Sequence, residues 1–305
     1  MFFRWRRVAI TGAIRCSHKK ARAFFVSGRR LKRSKSDQFQ FADRVGGNTM
    51  TVFVLKLIAM STMLIDHIGF GFLDDNYLAR TVGREAFVVY AFLMAESYRR
   101  LKDKPDRLRA HIVKLLVLCA VSEIPFDVFF GGELFDFSEQ NVITLLLLGF
   151  VTLIVQGKLR RKSGGHKTLA TLGSAAVLVV GCAVSYLVRS DYMISGVFLI
   201  VAFYQYLLRA ERWKLSTRLT ALWGVAAVFI VLFLWAYSGP GDWTAIASLA
   251  GDAPFWIGGY FLTVIPLAFY NQKLGYNGKR FGRFYSAFYP LHLAALILVA
   301  VIAAR

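Results

Sequence analysis

Residues 51–73 read TVFVLKLIAMSTMLIDHIGFGFL, an almost continuous apolar run. A helix rises 1.5 Å per residue, so a run of about 20 residues can cross the hydrocarbon core of a bilayer. This run nevertheless contains three ionisable residues, Lys56, Asp66 and His67. A charge at the bilayer centre costs roughly 3 kcal/mol on insertion scales. The stretch therefore predicts a membrane-spanning helix whose polar residues have a function.

Helical periodicity separates these polar residues into two groups. On a 100° step, Lys56, Met60, Met63 and His67 lie within roughly 40° of one line, which predicts a stripe that faces the protein interior. Asp66 lies about 80° away from that stripe. We therefore expect Asp66 and His67 to have different partners.

The rest of the chain repeats the apolar pattern. Of the 305 residues, 56% are hydrophobic, and the mean hydropathy is +0.50. A soluble domain would not repeat spanning-length apolar runs along most of its course. The sequence therefore predicts an all-α polytopic membrane bundle with one transmembrane domain, residues 50–305. We count about nine transmembrane helices, near residues 51–73, 78–98, 112–131, 141–157, 168–188, 192–208, 219–238, 254–271 and 284–304.

The net charge of +20 is distributed unevenly between the loops. Lys and Arg concentrate after the second, fourth, sixth and eighth runs, whereas the other loops are acidic, short or free of basic residues. By the positive-inside rule, the N-terminus is expected in the cytoplasm and the C-terminus outside. This placement indicates a lipid bilayer, and not nucleic acid, as the partner of the basic residues. The three cysteines stand singly, so we expect neither a disulfide nor a metal site.

Two segments lie outside the predicted spans. Residues 1–49 are basic and contain no run of spanning length, which predicts a disordered cytoplasmic tail at the anionic leaflet. Alternatively, the tail is an upstream extension and the true start is Met50. Residues 243–249 are expected to form a short interfacial helix.

Several polar residues are expected inside the membrane at similar depths. Arg84 on the second helix lies near the depth of Asp66 and His67, so an ion pair between Arg84 and Asp66 would explain both charges. On the third helix, Glu123 and Asp127 are four residues apart and share a face. A proline lies between them at position 125 and predicts a kink.

Further polar residues lie near the ends of later helices or on their inner faces. Asn141 and Asp191 could be N-cap residues of the fourth and sixth helices, or could bind substrate beside Tyr192. Tyr289 and His292 share a stripe on the ninth helix, where His292 is either a packed hydrogen-bond partner or part of a site.

Charged residues also lie at the cytoplasmic end of the second helix. Glu96, Arg99 and Arg100 are expected to be its solvated end. If a nucleotide-bearing cofactor binds there, Arg99, Arg100, Lys102 and Lys56 are the basic groups that could hold its phosphates. No GxGxxG, Walker A or HExxH motif competes with a membrane site.

Six motifs occur in an order that resembles the TraX family, over roughly residues 53–295. They are LKLIAMSTMLIDHIG, VGREAFVVYAFLMAE, SEIPFD, QNVITLLLLG, SDYMISGV and FYPLHL. The family is associated with conjugative transfer and with N-terminal acetylation of pilin. It is also similar to transmembrane acyltransferases, in which a membrane-embedded histidine takes part in acetyl transfer from acetyl-CoA.

The resemblance implies a bacterial inner-membrane acetyltransferase. The implied catalytic residues are His67, Asp66, Arg84 and Glu123. Acetyl-CoA is the implied donor, and the acceptor is a pilin-like peptide, a glycan or a lipid. We expect the acceptor-binding side to include Asp127, Asn141, Asp191, Tyr192, Tyr289 and His292.

The residues themselves agree with acetyl transfer but leave alternatives open. The reaction needs a base and donors for an oxyanion, which His67 and Arg84, Asn141 or Tyr289 could supply. Direct acetyl relay through His67 is equally compatible. Buried carboxylates and histidines also fit a proton-coupled transporter or flippase. A structural component of a conjugation or secretion apparatus is the third alternative.

Overall fold

The computed structural model describes residues 50–73, 76–136, 138–238 and 258–303. Within these ranges the chain forms nine α-helices, in the order and near the positions that the apolar runs predict. They are α1 (Val52–Phe72), α2 (Tyr77–Leu101), α3 (Pro105–Phe126), α4 (Val142–Lys162), α5 (Lys167–Leu187), α6 (Met193–Leu207), α7 (Leu215–Ser238), α8 (Gly258–Ala268) and α9 (Lys279–Ala303). The predictions for residues 1–49 and 243–249 fall outside the described residues.

Among the described helices, five are long and apolar enough to cross a membrane: α1, α4, α5, α7 and α9. The helices α2 and α3 are long enough but carry more charged residues, and α6 and α8 are shorter apolar helices. Apolar side chains are exposed along α3, α5 and α9. An exposed apolar surface is what a bilayer requires, so the chain is a multi-pass helical membrane protein.

The helices α1 and α2 form a close antiparallel pair. The Thr51 hydroxyl accepts a hydrogen bond from the amide of Val54 at the start of α1 (3.3 Å). Glycines permit the close approach, because a Cβ on Gly83 would overlap the side chain of Asp66. A Cβ on Gly259 would likewise overlap the carbonyl of Thr81, so these two glycines allow close packing of the helices.

At Gly258, by contrast, no described atom lies within 4 Å of an added Cβ, so close packing there is not observed.

The third helix runs through Pro125 and continues directly into a π-helical turn, Asp127–Gly131. Proline has no amide hydrogen and disturbs the regular hydrogen-bond ladder, and π-turns commonly occur at such interruptions. The amide of Asp127 bonds to the carbonyls of Glu123 and Ile124. Asp127 is buried in this turn, whereas Glu123, four residues earlier, is half-buried.

The turn between α5 and α6 is held against the start of α4. The amide of Gln140 donates to the carbonyl of Arg189, and the amide of Asp191 donates to the carbonyl of Gln140, both at 3.1 Å. The hydroxyls of Ser185 and Ser190 lie 2.6 Å apart and brace the same turn. These contacts fix the position of Asp191 relative to α4.

Three residues in this turn and at the start of α6 have positive backbone φ: Arg189 (49°), Tyr192 (58°) and Met193 (43°). Such values are uncommon for residues other than glycine, and they persist where the surrounding structure enforces them. Tyr192 occupies the N-cap position of α6 and makes no side-chain cap. The sequence expectation that Asp191 caps this helix is therefore wrong, because the helix begins one residue later than that role requires.

Candidate active site

A cavity of about 490 Å³ lies at the end of the bundle where α1 ends and α2 begins. Six of the residues predicted from the sequence line it: Asp66, His67, Arg84, Asp191, Tyr192 and Tyr289. Its other charged lining residues are Arg80, Glu139 and Arg189, and its apolar walls include Phe87, Phe126, Phe130 and Phe233. The cavity therefore combines charges of both signs with aromatic walls.

The imidazoles of His67 and His292 form a hydrogen-bonded pair. His67 Nδ1 lies 2.6 Å from His292 Nε2, and His292 Nδ1 lies 2.8 Å from the carbonyl oxygen of Phe288. The two rings are nearly parallel, at 7°, with centroids 4.8 Å apart. Both residues are buried, so His292 is confirmed as a packed hydrogen-bond partner.

This chain of hydrogen bonds fixes the tautomers of two neutral rings. A carbonyl can only accept, so His292 carries its proton on Nδ1 and presents Nε2 as an acceptor. His67 must then donate from Nδ1, which leaves a lone pair on its Nε2. That atom lies 3.8 Å from Asp66 Oδ2, beyond hydrogen-bond distance. His67, which lines the cavity, is therefore arranged as a base or nucleophile.

The stripe predicted on α1 is also observed. Met60, Met63 and His67 are buried, and Lys56 at its other end is half-buried. The Lys56 ammonium lies 4.3 Å from the ring centroid of Tyr285, a cation–π contact with α9. The α1 stripe therefore faces α9 at both ends.

Asp66 has a partner that the sequence analysis missed. The guanidinium of Arg80 donates to Asp66 Oδ2 at 3.0 Å. Arg80 lies one helical turn before Arg84 on the same face of α2, and that spacing is the signal that could have identified it. The expectation of different partners for Asp66 and His67 is confirmed.

Arg84 lies on the same wall of the cavity and donates to the hydroxyl of Tyr192 at 3.2 Å. The charge of Asp66 also acts on Arg84. The Tyr192 ring stacks on Phe87, with centroids 3.8 Å apart and planes at 7°. These contacts hold two hydrogen-bond donors, the guanidinium and the phenol, in fixed positions.

Asp191 belongs to the turn before α6 and lines the same cavity. Burial raises the pKa of Asp191 to about 7, against the lowering effect of the Arg84 guanidinium. A carboxyl with this pKa exchanges a proton near neutral pH.

Glu123, Asp127 and Asn141 lie outside the cavity lining. Asp127 in the π-turn accepts a hydrogen bond from the amide of Asp136 at 3.0 Å. Asn141 caps α4, because its Oδ1 accepts from the amides of Ile143 (2.9 Å) and Thr144 (3.3 Å). Its side-chain amide donates to the Glu123 carboxylate. The capping alternative for Asn141 is therefore confirmed.

The opposite end of α2 carries a closed charge cluster. The Glu96 carboxylate pairs with Arg99 at 2.7 Å and Arg100 at 2.6 Å, and the hydroxyl of Tyr270 donates to it at 2.7 Å. Arg100 also donates to the carbonyl of Gln272. Glu96 is only 2% exposed, so the expectation of a solvated helix end is wrong for this residue. Both arginines are already engaged in the protein.

The helices, the imidazole pair and the charged cavity define a polytopic membrane protein with a polar site embedded in its bundle. A family model described as TraX protein matches residues 52–300. The chain therefore belongs to the TraX family, as its motifs indicate. Comparison with the curated proteins and with the solved structures gives no match.

Proposed function

We propose that this protein is a membrane acetyltransferase that moves acetyl from acetyl-CoA to an acceptor bound in the cavity. The observation that carries the proposal is the orientation of His67. Its Nδ1–H is tied to His292, and its Nε2 is left with a lone pair in a residue that lines the cavity. A buried, oriented imidazole is the group that general-base catalysis of acyl transfer needs.

In the proposed reaction, the acceptor amine or hydroxyl gives its proton to His67 Nε2 as its nitrogen or oxygen attacks the thioester carbon. The new bond to carbon forms a tetrahedral oxyanion. Collapse of the oxyanion breaks the carbon–sulfur bond, and the leaving thiolate of CoA takes the proton from His67. The products are the acetylated acceptor and CoA, and His67 returns to its starting state.

The oxyanion requires donors that are already in place. The guanidiniums of Arg80 and Arg84 and the Tyr192 hydroxyl lie on the wall of the same cavity. Preorganised donors of this kind typically contribute about 10²–10³ in rate each. An alternative course has His67 Nε2 attack the thioester first and pass acetyl to the acceptor in a second step.

The leading acceptor is the N-terminus of a pilin-like peptide, which the family association supports. The carboxylate of Glu139 would attract an ammonium group into the cavity, and the aromatic walls would hold apolar side chains. The ammonium must lose one proton before its nitrogen attacks, and Asp191, with its pKa of about 7, would accept that proton. A glycan or lipid hydroxyl is the second choice. The proposed setting is the bacterial inner membrane, with the N-terminus and acetyl-CoA on the cytoplasmic side.

The orientation is tested with a reporter that is active only in the cytoplasm. Fusions after Gly157 and after Lys273 should be active, whereas a fusion after Gly132 should be silent. Silence after Gly157 would contradict the proposed orientation.

A proton-coupled transporter is the second candidate. It is favoured by one observation: three titratable groups, His67, His292 and Asp66, lie together beside a cavity. Substrate flux that dissipates a pH gradient, without any acetylated product, would support this alternative.

The test is the His67→Gln variant in detergent-purified protein. Glutamine keeps hydrogen-bonding capacity but cannot take up a proton near pH 7. We expect acetyl transfer at saturating acetyl-CoA to fall by at least roughly 100-fold, with CoA affinity within a few fold of the original.

The matched control is His166→Gln, which changes an exposed histidine before α5 and should leave turnover unchanged. Near-normal turnover in His67→Gln, with a normal size-exclusion profile, would refute the proposal.

A further inference from the structure

Three basic residues lie towards the starts of α1 and α3, at the end of the bundle opposite the cavity, and act electrostatically on one another. Lys56 is on α1, and His111 and Lys114 are on α3. Lys114 is the charge that acts on Lys56, and both lysines act on His111. Like charges repel one another, so a group of basic residues without an acid is less favourable than one that an anion offsets.

Within the described ranges, no carboxylate offsets these charges. Neither lysine forms an ion pair there, and the groups that act electrostatically on the three residues include no acid. The Nε2 atom of His111 is buried without a hydrogen-bond partner, and its ring packs against Phe150 at 4.9 Å. This differs from Arg99 and Arg100, which both form ion pairs with Glu96.

We propose that Lys56, His111 and Lys114 form an anion site that binds the phosphate groups of the CoA donor. This inference rests on the proposed function, because it assigns a binding site to the phosphate groups of acetyl-CoA, which the cavity does not hold. It replaces Arg99 and Arg100, which the sequence suggested for this role. Lysines bind phosphate as point charges, and a histidine N–H can add a directed hydrogen bond.

The position of the site fits a long donor. Lys56 and His67 lie on one stripe of α1, separated by about 16 Å along the helix axis. In CoA, an extended arm separates the phosphates from the thioester. A donor whose phosphates are held near Lys56 would need an extended arm of about this length to place its thioester near His67.

The same phosphate chemistry is present in anionic lipid headgroups, and Lys114 is exposed on the surface of the bundle. The experiment must therefore separate the two sources. We would reconstitute the full chain in nanodiscs, once with zwitterionic lipid only and once with added phosphatidylglycerol, and measure CoA binding directly.

The variants are Lys56→Gln, Lys114→Gln and the double variant, each compared with the charge-keeping Arg substitutions. The control is Lys214→Gln, which removes an exposed charge from the loop before α7. We expect each Gln variant to weaken CoA binding roughly tenfold in zwitterionic nanodiscs, the Arg variants to restore most of it, and the control to bind normally.

A donor without phosphates completes the test. With acetyl-CoA the Gln variants should show a KM raised roughly tenfold, whereas the KM for S-acetylpantetheine should be unchanged. An equal KM for acetyl-CoA in variant and original protein would overturn the site and leave the acetyltransferase proposal intact. Weakened CoA binding without detectable turnover would support the site while the proposed reaction fails. Variants that lose only phosphatidylglycerol binding would assign the site to lipid and overturn the inference.

Discussion

Replacing His292 with leucine tests how the structure orients His67. The substitution removes the acceptor for the Nδ1–H of His67, a buried hydrogen bond of 2.6 Å. Leaving a buried donor without its partner costs about 1–3 kcal/mol. If the same free energy is added to the activation barrier, because the imidazole of His67 is no longer held in its orientation, kcat should drop roughly 5- to 150-fold.

The assay is single-turnover acetyl transfer at saturating acetyl-CoA, with protein quality followed by size-exclusion chromatography. His292→Gln supplies a carbonyl oxygen as an alternative acceptor and should recover much of the rate. If His292→Leu lowered the rate only by disturbing the packing, a new hydrogen-bond acceptor at this position would not restore it. Comparing the Leu and Gln variants therefore distinguishes a role in orienting His67 from a role in packing.

A double-mutant cycle tests whether His292 acts only through His67. If His292 acts only through His67, then His292→Leu should cause no further loss in a His67→Gln protein. Additive losses would mean that His292 contributes independently of His67. Unchanged turnover in His292→Leu alone would show that the tautomer derived from the hydrogen bonds does not matter for the reaction.

Three further changes test the framework of the site. Gly83→Ala should destabilise the protein by about 1–3 kcal/mol, because the added methyl group would overlap Asp66. Gly224→Ala is the control and should not destabilise it, because no described atom lies near its Cβ. Thermal unfolding in detergent measures both variants. Glu96→Leu should cost about 3–5 kcal/mol in the same assay, since it leaves two arginines without their shared carboxylate. Asn141→Ala should cost about 0.5–2 kcal/mol through loss of the α4 cap, and a melting temperature equal to the original would contradict that role.

Local sequence patterns predicted much of the fold. Spanning-length apolar runs predicted the order and approximate bounds of the helices, because hydropathy over about 20 residues reports the solvent that a segment prefers. The 3.6-residue period placed Met60, Met63 and His67 on the buried stripe of α1. The same reasoning separated Asp66 from His67 and gave them different partners.

Local patterns failed where a residue's environment depends on distant segments. Glu96 looks like a solvated helix end, but Tyr270 and two arginines surround it. Asp191 looks like a helix cap, but the positive φ of Tyr192 shifts the start of α6. Arg80 became the partner of Asp66 because Gly83 lets α1 and α2 approach closely.

The sequence by itself determined that the chain spans a membrane and that His67 lies buried on the inner stripe of α1. Only the tertiary structure decided what His67 contacts. Its partner, His292, lies 225 residues away on α9, and the Phe288 carbonyl behind that ring selects the tautomer. Periodicity determines which way a side chain points from its own helix. The identity of the group that it meets depends on how two distant helices pack, and no local pattern contains that information.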